Sequence, residues 1–390
     1  MKFKAKHLRH PFRTIATAKV LAKTYFDVKL FPYRSRLRFW GDSRYELQNV
    51  TDGFASRIDN SRDDQELLER ICTAYINAVE HQETARETYQ PSQWWRQVRQ
   101  TRLQPVMQAL KKRDIQALRM MYSNFYRDPC SSGLITRTHM PWAFRRGGIK
   151  DINRHFYLGD SLCCIDYWKE RTADRFAVAD LAGPNIGNPF GVMLDGTLIR
   201  FEAPYQHYCA HRLSTLLDVG PSTVAEIGGG FGGMAYFLLR DRQPLTYFDF
   251  DLPESIALAS YFLLKAFPSL TFLLYGEKQM TPGEIARSNV VLMPLFEIGQ
   301  MQPRSVDVTF SSHAISALPS EFIAHYLETI GRITQGHFLY IGAMFGAKAI
   351  SELASQRKDI RMVEECVSGW NGHKTTNWND VEALYRTGVG

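Results

Sequence analysis

The residues best suited to do chemistry fall in one short run, Val224-Ala225-Glu226-Ile227-Gly228-Gly229-Gly230-Phe231-Gly232-Gly233. Gly228, Gly230 and Gly232 stand at every second position, after an apolar run of strand type and before one of helical type. Glycines at such a turn let the backbone fold tightly and approach a ligand with no side chain in the way. Gly228, Gly230 and Gly233 also satisfy the dinucleotide pattern GxGxxG, so the glycines alone leave two classes of ligand open. Glu226 separates them. A carboxylate two residues before the first glycine is a poor neighbour for a pyrophosphate, which needs an uncluttered helix N-terminus. It suits a ligand with positive charge, such as a sulfonium beside an amino group. Nineteen residues after Gly232 stands Asp251, within Asp249-Phe250-Asp251-Leu252-Pro253-Glu254. An acid at the end of a second strand accepts hydrogen bonds from ribose hydroxyls, which serves either class of nucleoside.

A proton acceptor is the other requirement for chemistry on a hydroxyl. His313 follows directly after the strand-like run Val306–Ser312, at the edge where open α/β sheets hold their ligands, and is the candidate general base. His207, His211 and His325 lie in helical stretches and read as structural, whereas His139 and His155 lie in a loop-rich stretch within reach of a substrate. Arg145, Arg146 and Lys150, in the same stretch, are candidate binders of an anionic acceptor. No His, Asp or Glu spacing marks a metal site, and none is expected. The six cysteines, Cys163 and Cys164 adjacent among them, lack metal or redox spacing and read as buried thiols in a reducing compartment.

Positioning these residues calls for a sheet. From Thr223 onward strand-type and helix-type runs alternate: 223–228, 245–251, 306–312 and 337–345 read as strands, with helices at 232–241, 253–267 and 320–333. Residues 270–276 and 289–294 compete for the third strand, and 360–370 with 379–387 read as an antiparallel edge pair. That alternation predicts an α/β fold, doubly wound around a parallel sheet, in the C-terminal half. Upstream, helices are expected over 63–86, 91–112 with a break at Pro105, and 114–128. Residues 129–160 read as a long loop, 160–172 as a short helix, Asp195-Gly196 as a two-residue hairpin turn, and 203–217 as a helix. The expected organisation is a basic arm (1–60), a mainly helical region that binds the acceptor or a second copy (61–184), and the cofactor-binding α/β region (185–390).

The runs EIGGGFGG, FDLPES and DVTFSSHAISALP together resemble the class I S-adenosylmethionine-dependent methyltransferases, Rossmann-like enzymes. With the upstream hairpin GNPFG…DGTLI they are most similar to the bacterial sugar O-methyltransferase group, over roughly residues 185–345. The resemblance implies S-adenosylmethionine as cofactor, with Glu226, Gly228, Gly230 and Gly232 around its methionine part. It further implies Asp251 on the ribose, Leu252 against the adenine, and Ser311 beside the cofactor. The loop after the fourth strand often carries an Asn and an acidic residue in that family, where this chain has Ser311 and Ala317.

Composition bounds the rest. The 390 residues, 45% hydrophobic and 22% charged, are those of a globular protein with a real core. No apolar run reaches the roughly 20 residues that span a bilayer, and the basic opening residues lack a signal-peptide core, so a cytoplasmic location is expected. Of the formal net charge of +7, residues 1–38 alone contribute eleven Lys and Arg against Asp27. Interleaved Phe12, Ile15, Val20, Leu21, Phe26 and Leu30 make that arm a candidate interfacial helix for the inner membrane face. No nucleic-acid-binding signature accompanies it. The expected activity is methylation of a hydroxyl on a sugar or glycosylated natural product. The alternatives are methylation of a carboxylate, for instance on a peptide, and a non-enzymatic interaction protein that retains a cofactor fold.

Overall fold

In the computed structural model, which describes residues 11–58, 64–135, 150–375 and 379–388, the chain opens with helices α1 (Pro11–Arg38) and α2 (Leu47–Gly53). Helix α3 (Gln65–Gln82) buries Leu68, Ile71, Cys72, Tyr75 and Ala78, one apolar stripe at helical spacing. Helix α4 (Gln93–Val98) begins where the Ser92 hydroxyl accepts a hydrogen bond from the Trp95 N–H. It widens into a π-helical turn (Arg99–Leu103) before α5 (Gln104–Lys112). Pro105 has no N–H to offer the preceding turn, so the expected break takes the form of that wider turn. Asp114 caps α6 (Ile115–Tyr122) through the Ala117 N–H.

Helix α7 (Asp151–Arg171) begins nine residues before the position expected for it and occupies the end of the expected loop. Every residue from Tyr157 to Ile165 is buried, because α1, α2 and α8 (Ala203–Ser214) pack around α7. A helix buried on several sides shows no amphipathic period, which is why its first half read as loop. His139, Arg145 and Arg146 lie outside the described residues. Strands β1 (Gly191–Leu194) and β2 (Thr197–Arg200) form the expected hairpin. Its turn has Asp195 and Gly196 at φ 48° and 75°, both left-handed, as a two-residue turn between twisted strands requires.

The α/β region runs β3 (Ser222–Ile227), α9 (Gly233–Asp241), β4 (Leu245–Asp251), α10 (Pro253–Ala266), β5 (Phe272–Leu274), α11 (Pro282–Ala286), β6 (Val290–Pro294), β7 (Val306–Ser312), α12 (Ser320–Ile333), β8 (Thr334–Ala343), α13 (Met344–Ser355), β9 (Ile360–Ser368) and β10 (Asp380–Thr387). The sheet order is β5-β6-β4-β3-β7-β8-β10-β9. Strands β5 to β8 are mutually parallel, while β10 runs antiparallel to both β8 and β9. Both candidates for the third strand are strands: β6 pairs with β4, and β5 flanks it at the edge. The chain moves outward one way from β3 through β4 and the other way from β7, so the order reverses between β3 and β7. Ligands bind at such a reversal, outside the carboxyl ends of the strands.

One core covers one face of the sheet and reaches from Phe31 to Leu384, joining the N-terminal helices to the α/β region. A second, with Ile323, Leu327, Ile330 and Ile350 of α12 and α13, covers the other face. Full burial of a side chain of this size contributes about 1.5–3 kcal/mol, so the helical region stabilises the sheet that it covers.

Candidate active site

Parallel pairing sets Glu226 of β3 beside Asp249 of β4 and Phe310 of β7. The glycine turn that follows is tied to the neighbouring acids. The Gly229 N–H donates to Asp249 Oδ1 (3.1 Å), the Gly230 N–H to Asp251 Oδ2 (2.9 Å), and the Leu252 N–H to Asp251 Oδ1 (2.6 Å). Gly228 and Gly230 have φ of 83° and 64°. A Cβ on Gly228 would stand 2.3 Å from Ala314 Cβ, and one on Gly229 2.7 Å from the Asp249 carboxylate. Glycine is thus required here by the loop after β7 and by the acids, as well as by any ligand.

Glu226, Asp249 and Asp251 are all buried. Burial pushes Glu226 up to about 7, against the opposing hydrogen bond from the Tyr247 hydroxyl. It likewise raises Asp251 to about 7, against its backbone hydrogen bonds, and takes Asp249 well above the carboxylate range. Asp249 Oδ2 has no hydrogen-bond partner among the described residues. Glu226 and Asp251 border a cavity of about 890 Å³, at the upper end of the range for small-molecule sites. Among the described residues, its lining includes Glu202, Glu226, Asp251 and Asp380 and no lysine or arginine. A lining of that charge favours a cation and disfavours a pyrophosphate.

Of the residues singled out from sequence, Glu226, Gly228, Gly230, Asp251, Leu252 and His313 line this cavity. Two others stand behind it. Ser311 is fully buried, and its hydroxyl donates to the Ile227 carbonyl (3.0 Å), so the side chain braces β3 against β7. Gly232 faces α10, where an added Cβ would come 3.0 Å from the Leu263 side chain. Side chains alternate along a strand, so Ser312, not Ser311, faces the cavity, where its hydroxyl pairs with Tyr205 Oη at 2.6 Å. Gln206, one residue on, also lines the cavity; its Oε1 has no partner among the described residues, and its Nε2 occupies the space that a Cβ on Gly233 would need. Nothing in the local sequence around Gln206 signals that role.

His313 directly follows β7 and sits in the left-handed region, φ 63°, with its N–H donating to the Ile341 carbonyl at 3.0 Å. A non-glycine residue held there costs about 1–3 kcal/mol, and such strain collects at functional sites. The imidazole is half exposed into the cavity, and its Nε2 lies 3.6 Å from Asp380 Oδ2. Burial raises the Asp380 carboxyl, and the charge of His313 opposes that. Asp380 is the first residue of β10. Because β10 runs antiparallel, its start rather than its end lies at the edge where the parallel strands finish.

The remaining histidines have other partners. His155 Nδ1 lies 3.2 Å from Tyr45 Oη, away from the cavity. His207 accepts a hydrogen bond from Trp168 Nε1, and burial lowers it to about 4; His211 packs edge-on to Phe176, and His325 pairs with Tyr89. Asp160, Cys164 and His373 come together, but Lys374 Nζ binds both Asp160 oxygens (2.9 and 3.2 Å) and His373 Nε2 lies at 2.7 Å. This is a buried ion pair that fastens the 369–375 loop to α7. Trp370 and Asn371 of that loop, with Asn379, Phe345 and Tyr205, line the same cavity as His313 and Asp380.

No protein-family model and no curated protein matches this sequence. Part of the chain is similar to a SAM-dependent methyltransferase from Aquifex aeolicus, at 12% identity over 46% of this chain and 89% of the other, TM-score 0.32. It is also similar to the pyocyanin biosynthetic protein PhzM, at 12% identity over 48% and 56% of the two chains, TM-score 0.33. A third similarity is to a Pyrococcus abyssi tRNA (uracil-54, C5)-methyltransferase in complex with S-adenosyl-L-homocysteine, at 14% identity over 47% and 38%, TM-score 0.31.

Proposed function

We propose that this chain is an S-adenosylmethionine-dependent O-methyltransferase whose acceptor is a hydroxyl of a sugar or a glycosylated natural product. The observation that carries the reading is one continuous cavity lined by buried acids, a glycine turn and the His313–Asp380 pair. The residues present fit the cofactor. Glu226 and the Gln206 Oε1 offer acceptors to its amino group, Asp251 to its ribose hydroxyls, and Leu252 an apolar surface to its adenine. When bound, it supplies a methyl group already activated on a sulfonium.

The chain's own residues provide position and a base. Tyr205, Trp370 and Phe345 give ring faces on which the C–H faces of a sugar pack, while Asn371 and Asn379 offer hydrogen bonds to its hydroxyls. A sugar hydroxyl gives up its proton reluctantly, and a positioned base typically contributes about 10²–10⁴-fold. With Nε2 turned toward Asp380, His313 takes the proton on Nδ1, and the Asp380 carboxylate stabilises the imidazolium. A carboxylate acceptor would need no base and would meet the acids of this cavity unfavourably.

Labelled S-adenosylmethionine incubated with panels of sugars, glycosides, peptides and phenols tests the reading. Label is expected on a glycoside hydroxyl, and His313→Ala is expected to lower turnover by about 10²-fold with little change in cofactor affinity. Transfer to a carboxylate would refute the hydroxyl reading, and full turnover by the His313 variant would remove His313 from the role of base.

A further inference from the structure

Helix α1 has a packed inner face and an exposed apolar outer face. The inner one, with Thr24, Phe31 and Ser35, is buried against α7, where Gly159 leaves room for the Ser35 side chain. The outer one is a row of Phe26, Leu30, Tyr33 and Leu37, spaced four, three and four residues and therefore aligned along the helix. Trp40 extends it past the helix end. These residues are between 52% and 79% exposed. Single exposed apolar side chains are ordinary, whereas an aligned row marks an interaction surface.

The flanks of the row identify its partner. Lys19, Lys23, Lys29 and Arg36 are all exposed beside it. Asp27, the one acid between residues 19 and 38, is engaged elsewhere, with Arg34 and the Thr375 hydroxyl. The same four-three spacing also makes coiled-coil seams, but a second α1 would bring like charges together along the seam. An anionic surface takes those charges favourably.

We propose that the outer face of α1 docks the protein onto an anionic phospholipid bilayer. The helix lies in the plane of the interface, with the row from Phe26 to Trp40 at the level of the headgroups and the lysine and arginine stems reaching their phosphates. Tyr and Trp are the aromatic residues that favour that level. The inner side of α1 is tied to the 369–375 loop, since Arg34 donates to the Lys374 carbonyl at 3.1 Å. That loop carries Trp370 and Asn371, so the docked helix is one loop away from residues that line the cavity. The surface does not depend on the identity of the cofactor or the acceptor.

The test is sedimentation of the full chain with vesicles of phosphatidylcholine, alone or mixed with phosphatidylglycerol, without cofactor. Binding is expected to the mixed vesicles only, and to be lost at high salt. A basic residue at the surface contributes about fivefold in affinity, the equivalent of roughly 1 kcal/mol. The combined Lys23→Gln, Lys29→Gln and Arg36→Gln variant is therefore expected to bind about 100-fold more weakly. Phe26→Ser, Leu30→Ser and Leu37→Ser together are expected to abolish binding, with both variants melting at the parent's temperature because every substituted side chain is exposed. No binding to anionic vesicles at low salt would overturn the proposal, as would undiminished binding by the apolar variant. A lipid-free dimer abolished by the apolar substitutions would assign the face to a second copy and overturn it as well.

Discussion

Glu226, Asp249 and Asp251 are three buried carboxylates at neighbouring strand ends, and no lysine or arginine is among the described residues that line the cavity beside them. Glu226 and Asp251, raised to about 7, hold protons in the folded chain well above the pH at which they would lose them unfolded. Their contribution to stability is therefore complete below pH ~4 and is lost as pH rises through 7. A bound cation reverses the sign by favouring the ionised forms. Calorimetry is expected to show S-adenosylmethionine binding more tightly at pH 8 than at pH 6, with no heat from NAD. Asp251→Ala removes two acceptors worth about 0.5–1.5 kcal/mol each, so affinity is expected to fall about fivefold to a hundredfold. Affinity that does not vary with pH would show that these carboxylates do not meet the ligand's charge.

Among the elements, the turn after β3 carries the tightest local requirement. Gly228 and Gly196 have similar positive φ, 83° and 75°, but a Cβ on Gly228 would strike Ala314 whereas one on Gly196 meets nothing within 4 Å. Replacing either by alanine costs about 1–2 kcal/mol for the left-handed backbone. Gly228→Ala adds a collision that moves the loop bearing His313. Urea denaturation is expected to show the larger loss for Gly228→Ala, and only that variant is expected to lose cofactor binding in calorimetry. Equal losses would mean that backbone strain alone sets the glycine requirement.

For the molecule as a whole, the Asp160–Lys374 pair holds the 369–375 loop to α7, with both side chains buried. Breaking a buried pair leaves one charge without a partner and costs about 3–5 kcal/mol. Asp160→Asn is expected to lower unfolding free energy by that amount in urea. It is also expected to raise the acceptor KM more than it lowers kcat, since Trp370 and Asn371 lose their support while His313 keeps its own. A variant as stable as the parent would show that the pair is not what secures the loop.

Local chemistry was legible in the sequence. The strand-glycine-helix turn, the acids at the ends of β3 and β4, the Asp195-Gly196 hairpin and the β/α alternation are each written in neighbouring residues, through period and backbone preference. Only the tertiary structure decided what comes together across the chain. Strand order placed Asp380 beside His313, because an antiparallel last strand brings its first residue to the ligand edge. Packing turned Gln206 into the cavity and Ser311 out of it, one by helix rotation and the other by strand alternation. Burial on several sides erased the amphipathic period of α7, so its first turns read as loop. Adjacent residues encode a local conformation, but the meeting of residues far apart depends on which strands neighbour one another, and no short segment carries that information.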